Sequence, residues 1–151
     1  MLVRDIMTTD VKSVKPDTPV KDVAMLMCLQ NISGAPVVDD EHNIVGIISE
    51  KDVLQHMFPD IAELMAEGRK PDFEAMEKEY RGTMEKKVHE LMTTKPETVA
   101  PDIPCLKAAS IMWLRRFRRI PVAENGKLVG IVSLGDVHKA LFRASLLDGI
   151  H

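Results

Sequence analysis

Shifted by 85 residues, the chain falls on itself. Val3, Met7, Thr8, Thr9, Val14, Pro16, Asp17, Pro19, Ala24, Met27, Leu29, Pro36 and Val37 land on identical residues between Val88 and Val122. After a one-residue deletion in the second copy, Val45, Gly46, Ile47, Ser49, Asp52 and Val53 land on Val129, Gly130, Ile131, Ser133, Asp136 and Val137. That is 19 identities over 50 aligned pairs, many at Pro, Gly and Asp, and duplication is the economical explanation. A repeat of this kind constrains the fold before any single residue does, because each copy must form the same supersecondary unit.

Each copy reads as strand, helix, strand, strand, helix. A short extended stretch (Val11 to Val14; Thr98 and Val99) runs into a Pro-Asp turn. Thr18-Pro19 and Asp102-Ile103-Pro104 then predict a helix opened by a capping oxygen and a proline. Val20, Val23, Ala24 and Met27, with Leu106, Ala109, Met112 and Trp113 in the second copy, recur at spacings of three and four and are expected in the core. Two β-branched runs follow: Pro36 to Val38 and Ile44 to Ile48, then Pro121-Val122 and Leu128 to Val132. The polar turn between the first pair and Asn125-Gly126 between the second suit hairpins. The second helix begins at Ser49 and at Ser133. Residues 58–85 read as a helical linker, with Pro59-Asp60 starting one helix, Gly68 ending it, and Pro71 starting another. On that last helix Phe73, Met76, Tyr80 and Met84 form a narrow apolar stripe among Glu and Lys, the pattern of a helix packed on its own protein or on a twin subunit. The expected domains are a first repeat at 1–57, the linker, a second repeat at 86–143 and a tail at 144–151.

The 151 residues suffice for one ordinary core. A net charge of −3 gives nucleic acid no bulk attraction, and no apolar run approaches a membrane span, so a cytoplasmic protein is expected. Cys28 and Cys105 fall within apolar helical patterns and read as small buried hydrophobes. The scattered histidines have no metal-ligand spacing, and no metal site is expected. Nor is there a paired acid and base, a nucleophile elbow or a Gly-rich phosphate loop, so an enzyme is not expected.

The chemistry concentrates where a strand runs into a helix through Ser-x-x-Asp: Gly46-Ile47-Ile48-Ser49-Glu50-Lys51-Asp52 and Gly130-Ile131-Val132-Ser133-Leu134-Gly135-Asp136. Local physics makes each a capping box, Ser receiving the N3 amide and Asp receiving the N-cap amide. An Asp at such a junction can also accept the two hydroxyls of a ribose, while Ser and the free amides of the first turn donate to ligand oxygens. The two roles are compatible.

The doubled pattern, with Met-Thr-Thr at the start, a Pro-Val strand and Gly-Ile-Ile/Val-Ser-x-x-Asp at the end, resembles a tandem pair of cystathionine β-synthase (CBS) domains, stand-alone. The resemblance covers roughly residues 1 to 57 and 86 to 143. It implies an α/β fold of two repeats packed about a pseudo-two-fold axis. It further implies clefts between the repeats that bind AMP, ADP, ATP or S-adenosylmethionine as regulatory ligand, with no catalytic cofactor, and a disc-shaped homodimer. Carried over by residue, Asp136 and Ser133 hold the ribose of one cleft, backbone around Ile120 and Pro121 meets adenine, and Thr8, Lys12 and Ser13 lie opposite. Asp52 and Ser49 serve the other cleft with Ala35, Pro36, Thr93, Glu97 and Thr98. Arg118 and Arg119, next to Ile120-Pro121, are placed for phosphate, since a guanidinium fork fits it bidentately. The first copy has Ser33 and Gly34 there, so the Asp136 cleft is expected to be the stronger. Arg115 and Arg116 read as a basic helix end facing its dipole. Trp113 and Phe117 interleave with these arginines but occupy the apolar phase of the helix, which argues against nucleic acid. The expected function is a ligand-sensing module that signals to a separate effector protein. The alternative is a ligand-free dimerisation scaffold whose Ser-x-x-Asp turns are only caps.

Overall fold

A computed structural model describes residues 1–58 and 60–148. The Pro59 expected to open a linker helix and the last residues of the tail, 149–151, lie outside the described residues. The elements are α1 (Val3–Ile6), α2 (Val20–Gln30), β1 (Gly34–Val38), β2 (Ile44–Ser49), α3 (Glu50–Leu54), a 3-10 turn (Gln55–Met57), α4 (Ile61–Ala66), α5 (Phe73–Thr83), α6 (Val88–Leu91), β3 (Thr93–Thr94), α7 (Cys105–Arg115), β4 (Arg119–Glu124), β5 (Lys127–Ser133) and α8 (Leu134–Asp148).

Two compact units result, and each draws on both copies of the repeat. Unit 1 contains Met1–Lys12, Glu41–Ile44 and the described residues from Pro96 onward; unit 2 contains Ser13–Asp40 and Val45–Lys95. The opening segment of each copy therefore packs with the body of the other.

In unit 1 the hairpin β4–β5 pairs Ile120 with Val132 and Pro121 with Ile131, and turns at Asn125 and Gly126, both at positive φ. Thr8 adds an antiparallel bridge to Ile131, and Val99 a parallel one to Val122. The core gathers Val3, Val99, Cys105, Ala108, Met112, Ile120, Val122, Val132 and Val137. Glu41–Ile44 is held by Ile44 N donating to Gly126 O (3.0 Å), Leu128 N to His42 O (3.1 Å) and Lys127 Nζ to Glu41 O (2.8 Å).

In unit 2 the sheet order is β1-β2-β3, with Gly46 opposite Thr94 and Ile47 opposite Thr93. Val14 bridges Val37 in parallel. Val14, Val20, Val23, Val37, Ile48, Val53, Val88 and Leu91 form its core, and Tyr80 of α5 and Met84 at its C-cap pack against it. Of the expected stripe Tyr80 and Met84 reach this core, whereas Phe73 at its start is 69% exposed.

Several local expectations are corrected. Thr18 does not cap α2: its Oγ1 accepts from Lys15 N at 3.0 Å, within the Pro-Asp turn. The N-cap positions are Pro19 and Pro104, with no side-chain cap. The orphan first amides find carbonyls instead, Val20 N donating to Lys86 O and Cys105 N to Met1 O, both at 2.9 Å. On α7 the buried face is Cys105, Ala108 and Met112, whereas Leu106 is 55% and Trp113 80% exposed. At 3.6 residues per turn, Trp113 stands about 100° from Met112, and the small Cys105 and Ala108 let the helix approach its sheet. Cys28 is also exposed; only Cys105 is buried. The short helices α1 and α6 were not anticipated. A carboxylate closes each, Asp5 accepting from Leu2 N (2.8 Å) and Glu90 from Lys87 N (2.7 Å).

The two linker helices carry acidic caps: Asp60 accepts from Glu63 N and Asp72 from Ala75 N, each at 3.1 Å. Replacing Asp72 with alanine is expected to cost about 1 kcal/mol. At about 2–4 °C per kcal/mol for a chain of this size, thermal unfolding would register a drop of about that many degrees. An unchanged midpoint would show that α5 is held by its apolar stripe alone.

Candidate functional site

β5 delivers Ser133 and β2 delivers Ser49 to the first turn of the following helix, where backbone direction changes and free amides point outward. Ser133 N donates to Asp136 Oδ2 at 2.9 Å, and Asp136 N donates to Ser133 Oγ at 3.0 Å. Ser49 N donates to Asp52 Oδ2 at 2.9 Å and Asp52 N to Ser49 Oγ at 3.3 Å. Both turns are capping boxes. They differ in one proton. The Ser49 hydroxyl also donates to Asp52 Oδ2, at 3.1 Å, so its O–H is consumed internally. Among the described residues the Ser133 hydroxyl has no such bond, which leaves it a donor for a ligand. In each pair the second carboxylate oxygen accepts nothing from the described residues, so a half-buried Asp136 retains an acceptor beyond its capping duty.

The structure brings Thr8 beside Ile131, two residues before Ser133, and Lys12 into the same unit, while Ser13 belongs to unit 2. In unit 2, Thr93 faces Ile47, two residues before Ser49; Glu97 and Thr98 fall in unit 1. The Met-Thr pairs reach their strands because Gly46 and Gly130 leave room. A Cβ on Gly130 would stand 2.8 Å from Met7 Sδ and 2.9 Å from Thr8 O, and one on Gly46 2.7 Å from Met92 Sδ and 2.9 Å from Thr93 O. The side chains of Ala35, Pro36, Ile120 and Pro121 are buried, so only their backbone can meet a ligand. The carbonyls of Pro36 and Pro121 already accept from Val14 N (3.0 Å) and Val99 N (3.1 Å).

Charge separates the two sites further. Arg115 pairs with Glu97 at 3.2 Å, engaging the carboxylate expected at the weaker cleft. Arg116, Arg118 and Arg119 are exposed and have no carboxylate partner among the described residues. Arg116 takes the left-handed conformation that ends α7 (φ 61°), and Leu134 N donates to Arg118 O at 2.9 Å, tying the arginine run to the residue after Ser133. A cavity of about 400 Å³ opens there, lined by Met112, Trp113, Arg116, Phe117, Arg118 and Leu134. Trp113 and Phe117, expected in the apolar phase of the helix, are 80% and 40% exposed and line a surface instead, so only the net charge of −3 still counts against nucleic acid. Among the described residues no three His, Cys, Asp or Glu side chains are grouped to hold a metal, and no helix is long and apolar enough to cross a membrane.

A sequence model of the CBS domain matches residues 3–59 and 88–143. The chain belongs to the CBS domain family. Its mixed α/β fold is that of two CBS repeats, and the Ser-x-x-Asp boxes close each of them. CBSX2 of Arabidopsis thaliana, a chloroplastic CBS domain-containing protein, is 32% identical over 140 residues. The match covers 84% of this chain and 57% of CBSX2, so this chain spans little more than half of that relative's length. An uncharacterized protein of Methanocaldococcus jannaschii is 33% identical over 155 residues, covering 93% and 91%. The crystal structure of CBSX2 in complex with AMP matches with a TM-score of 0.74 at 32% identity, over 95% of this chain and 98% of that one. The CBS domain pair of protein MJ0100, solved with 5′-methylthioadenosine and S-adenosyl-L-methionine, matches with a TM-score of 0.67 at 25% identity, over 96% and 98%.

Proposed function

We propose that the chain is a non-catalytic regulatory module that binds a phosphate-bearing adenine nucleotide in unit 1 and passes the binding state to a partner protein. The observation that carries this reading is the company Ser133 and Asp136 keep: among the described residues the Ser133 hydroxyl donates to no neighbour, Arg119 stands opposite Ser133 in the β4–β5 register, and Arg118 is bonded through its carbonyl to Leu134 N. In this reading Asp136 and Ser133 hold the ribose, Arg118 and Arg119 the phosphate, and backbone near Ile120 and Pro121 the adenine, with Thr8 and Lys12 on the remaining side. Asp52, Ser49, Ala35, Pro36 and Thr93 form a second site in unit 2 that is weaker or takes another adenosyl ligand. It has Ser33 and Gly34 where the other has Arg118 and Arg119, and its serine hydroxyl is spent on its own aspartate. Residues 58–85 act as a linker between repeats 1–57 and 86–143. The AMP complex of CBSX2 supports the ligand class.

Homodimerisation belongs to the same proposal. On α8, Phe142, Leu146 and Leu147 are 58%, 52% and 63% exposed, an apolar row that a second copy would cover. A ligand-free dimer is the rival function, favoured by the fact that both capping boxes are complete without a ligand. Thermal unfolding separates the two. AMP, ADP or ATP at ten times its dissociation constant adds about 1.4 kcal/mol to a folded state that binds it, a rise of about 3–6 °C. If no adenine nucleotide or S-adenosylmethionine moves the midpoint, the scaffold reading replaces this one.

A further inference from the structure

We propose that the linker helices form a docking groove for a basic amphipathic helix of the effector protein. The groove lies between α5 and the 3-10 turn at Gln55–Met57, wholly within unit 2. It gives the regulatory module proposed above the surface by which it meets its partner, and in that respect rests on that reading.

Four observations converge. First, the core does not absorb the apolar surface here. Met57, Phe58, Leu64 and Met76 line a cavity of about 460 Å³, and Phe58, Met65 and Phe73 are 50%, 74% and 69% exposed. Two smaller cavities adjoin the same turn, one of about 390 Å³ that also has Met57 in its wall and one of about 420 Å³ that also has Phe58. Methionine and phenylalanine adapt readily to the apolar face of an incoming helix. Second, the dimensions suit a helix, since Asp72, Ala75, Met76 and Glu79 line the main cavity along one face of α5, over about two turns or about 10 Å. Third, charge favours a cationic partner. Residues 58–85 carry eight Asp or Glu against four Lys or Arg, so the excess of negative charge in a chain of net charge −3 resides in the linker. Among the described residues Glu63, Glu74, Glu77 and Glu79 have no cationic partner, whereas Arg69, which lines the groove, is already paired with Glu67. His56 and Lys70 line it too, so the cations of the partner meet the α5 side, where Asp72 and Glu79 stand. Fourth, the repeat supplies a contrast. In the second copy the helix begun by Ser133 runs unbroken as α8 for 15 residues; in the first, the helix begun by Ser49 ends after 5, gives way to the 3-10 turn and leaves Phe58 at the surface. The groove is therefore built on a helix that starts at a Ser-x-x-Asp box, and α4 and α5, which complete it, lie outside both segments matched by the CBS model.

The probes are two labelled helical peptides with leucine at helical spacing, one filled out with lysine and the other with glutamate. By fluorescence anisotropy with the intact chain, the lysine peptide is expected to bind at least about tenfold tighter than the glutamate peptide and to weaken as salt is raised. Phe58→Ala is expected to cost about tenfold, as for an aromatic anchor. Glu79→Lys, a charge reversal at an exposed helix position, is expected to cost a comparable factor. Leu114→Ala removes an apolar side chain that is 79% exposed in unit 1 and is the control, with affinity kept within about twofold. Equal binding of the two peptides, or equal loss in Phe58→Ala and Leu114→Ala, overturns the groove. A chain that binds neither peptide and whose self-association is broken by Phe58→Ala overturns it in favour of a second copy on this face. Calorimetry with AMP on the same protein keeps the two readings apart. If AMP binds and the lysine peptide does not, the groove falls and the nucleotide reading stands. If the peptide binds in the predicted pattern and no nucleotide does, the groove stands and serves a ligand-free scaffold.

Discussion

Replacing Asp136 with alanine is expected to weaken adenine-nucleotide binding by about ten- to a hundredfold, the loss of charge-assisted bonds worth about 1.5–3 kcal/mol. The same substitution removes the cap that Asp136 gives to Ser133 N, so stability falls by about 1 kcal/mol as well. Asp136→Asn separates the two roles. Its amide oxygen can still accept from Ser133 N, which keeps the helix end, but one oxygen and no charge cannot receive a ribose diol as a carboxylate does. Calorimetry on the asparagine variant should show affinity lost and the melting temperature kept. Retained affinity with a lowered melting temperature in the alanine variant would return Asp136 to capping alone. The matching change Asp52→Ala is expected to alter nucleotide binding much less, because Ser49 already spends its hydroxyl on that aspartate.

Gly130→Ala should be nearly as costly, and for a steric reason. The new methyl would stand 2.8 Å from Met7 Sδ and 2.9 Å from Thr8 O. Met7 can move its thioether aside, but the Thr8 carbonyl is backbone and accepts from Ile131 N at 2.9 Å. Something in that pairing must shift. Overpacking of this kind costs about 1–3 kcal/mol, which urea or thermal unfolding would register as a drop of several degrees. Because Thr8 lies on the proposed nucleotide site, affinity should fall along with stability. Gly82→Ala is the control, since a methyl there meets nothing within 4 Å on an exposed helix position. Equal effects from the two substitutions would show that the approach of Met7 and Thr8 to β5 is not what Gly130 is for.

Much of this molecule is legible along the chain. The hairpins β1–β2 and β4–β5, the starts of α3 and α8 and the break near Gly68 all follow from residues close in sequence. The Ser-x-x-Asp boxes are legible for the same reason, since a cap is a contact between positions three apart. Cys28, Leu106, Trp113 and Phe117 were misplaced because a helix with apolar residues on more than one side does not announce which side the sheet will take. On α7 the side that took the sheet is the one carrying Cys105, Ala108 and Met112.

The two Ser-x-x-Asp turns themselves, and the duplication that makes each strand and helix occur twice, were determined by sequence alone, because local hydrogen bonds and short-range periodicity depend on neighbours the chain always has. Tertiary structure alone decided how the copies share their parts: Thr8 pairs with Ile131, Thr93 with Ile47, and the first amides of α2 and α7 find carbonyls at Lys86 and Met1. It also decided that Ser49 donates its hydroxyl to its own aspartate while Ser133, among the described residues, does not, and that Trp113 faces outward in a cavity it shares with Arg116 and Arg118. Those outcomes depend on packing between segments distant in sequence, and no local pattern encodes which of two similar strands an opening segment will join.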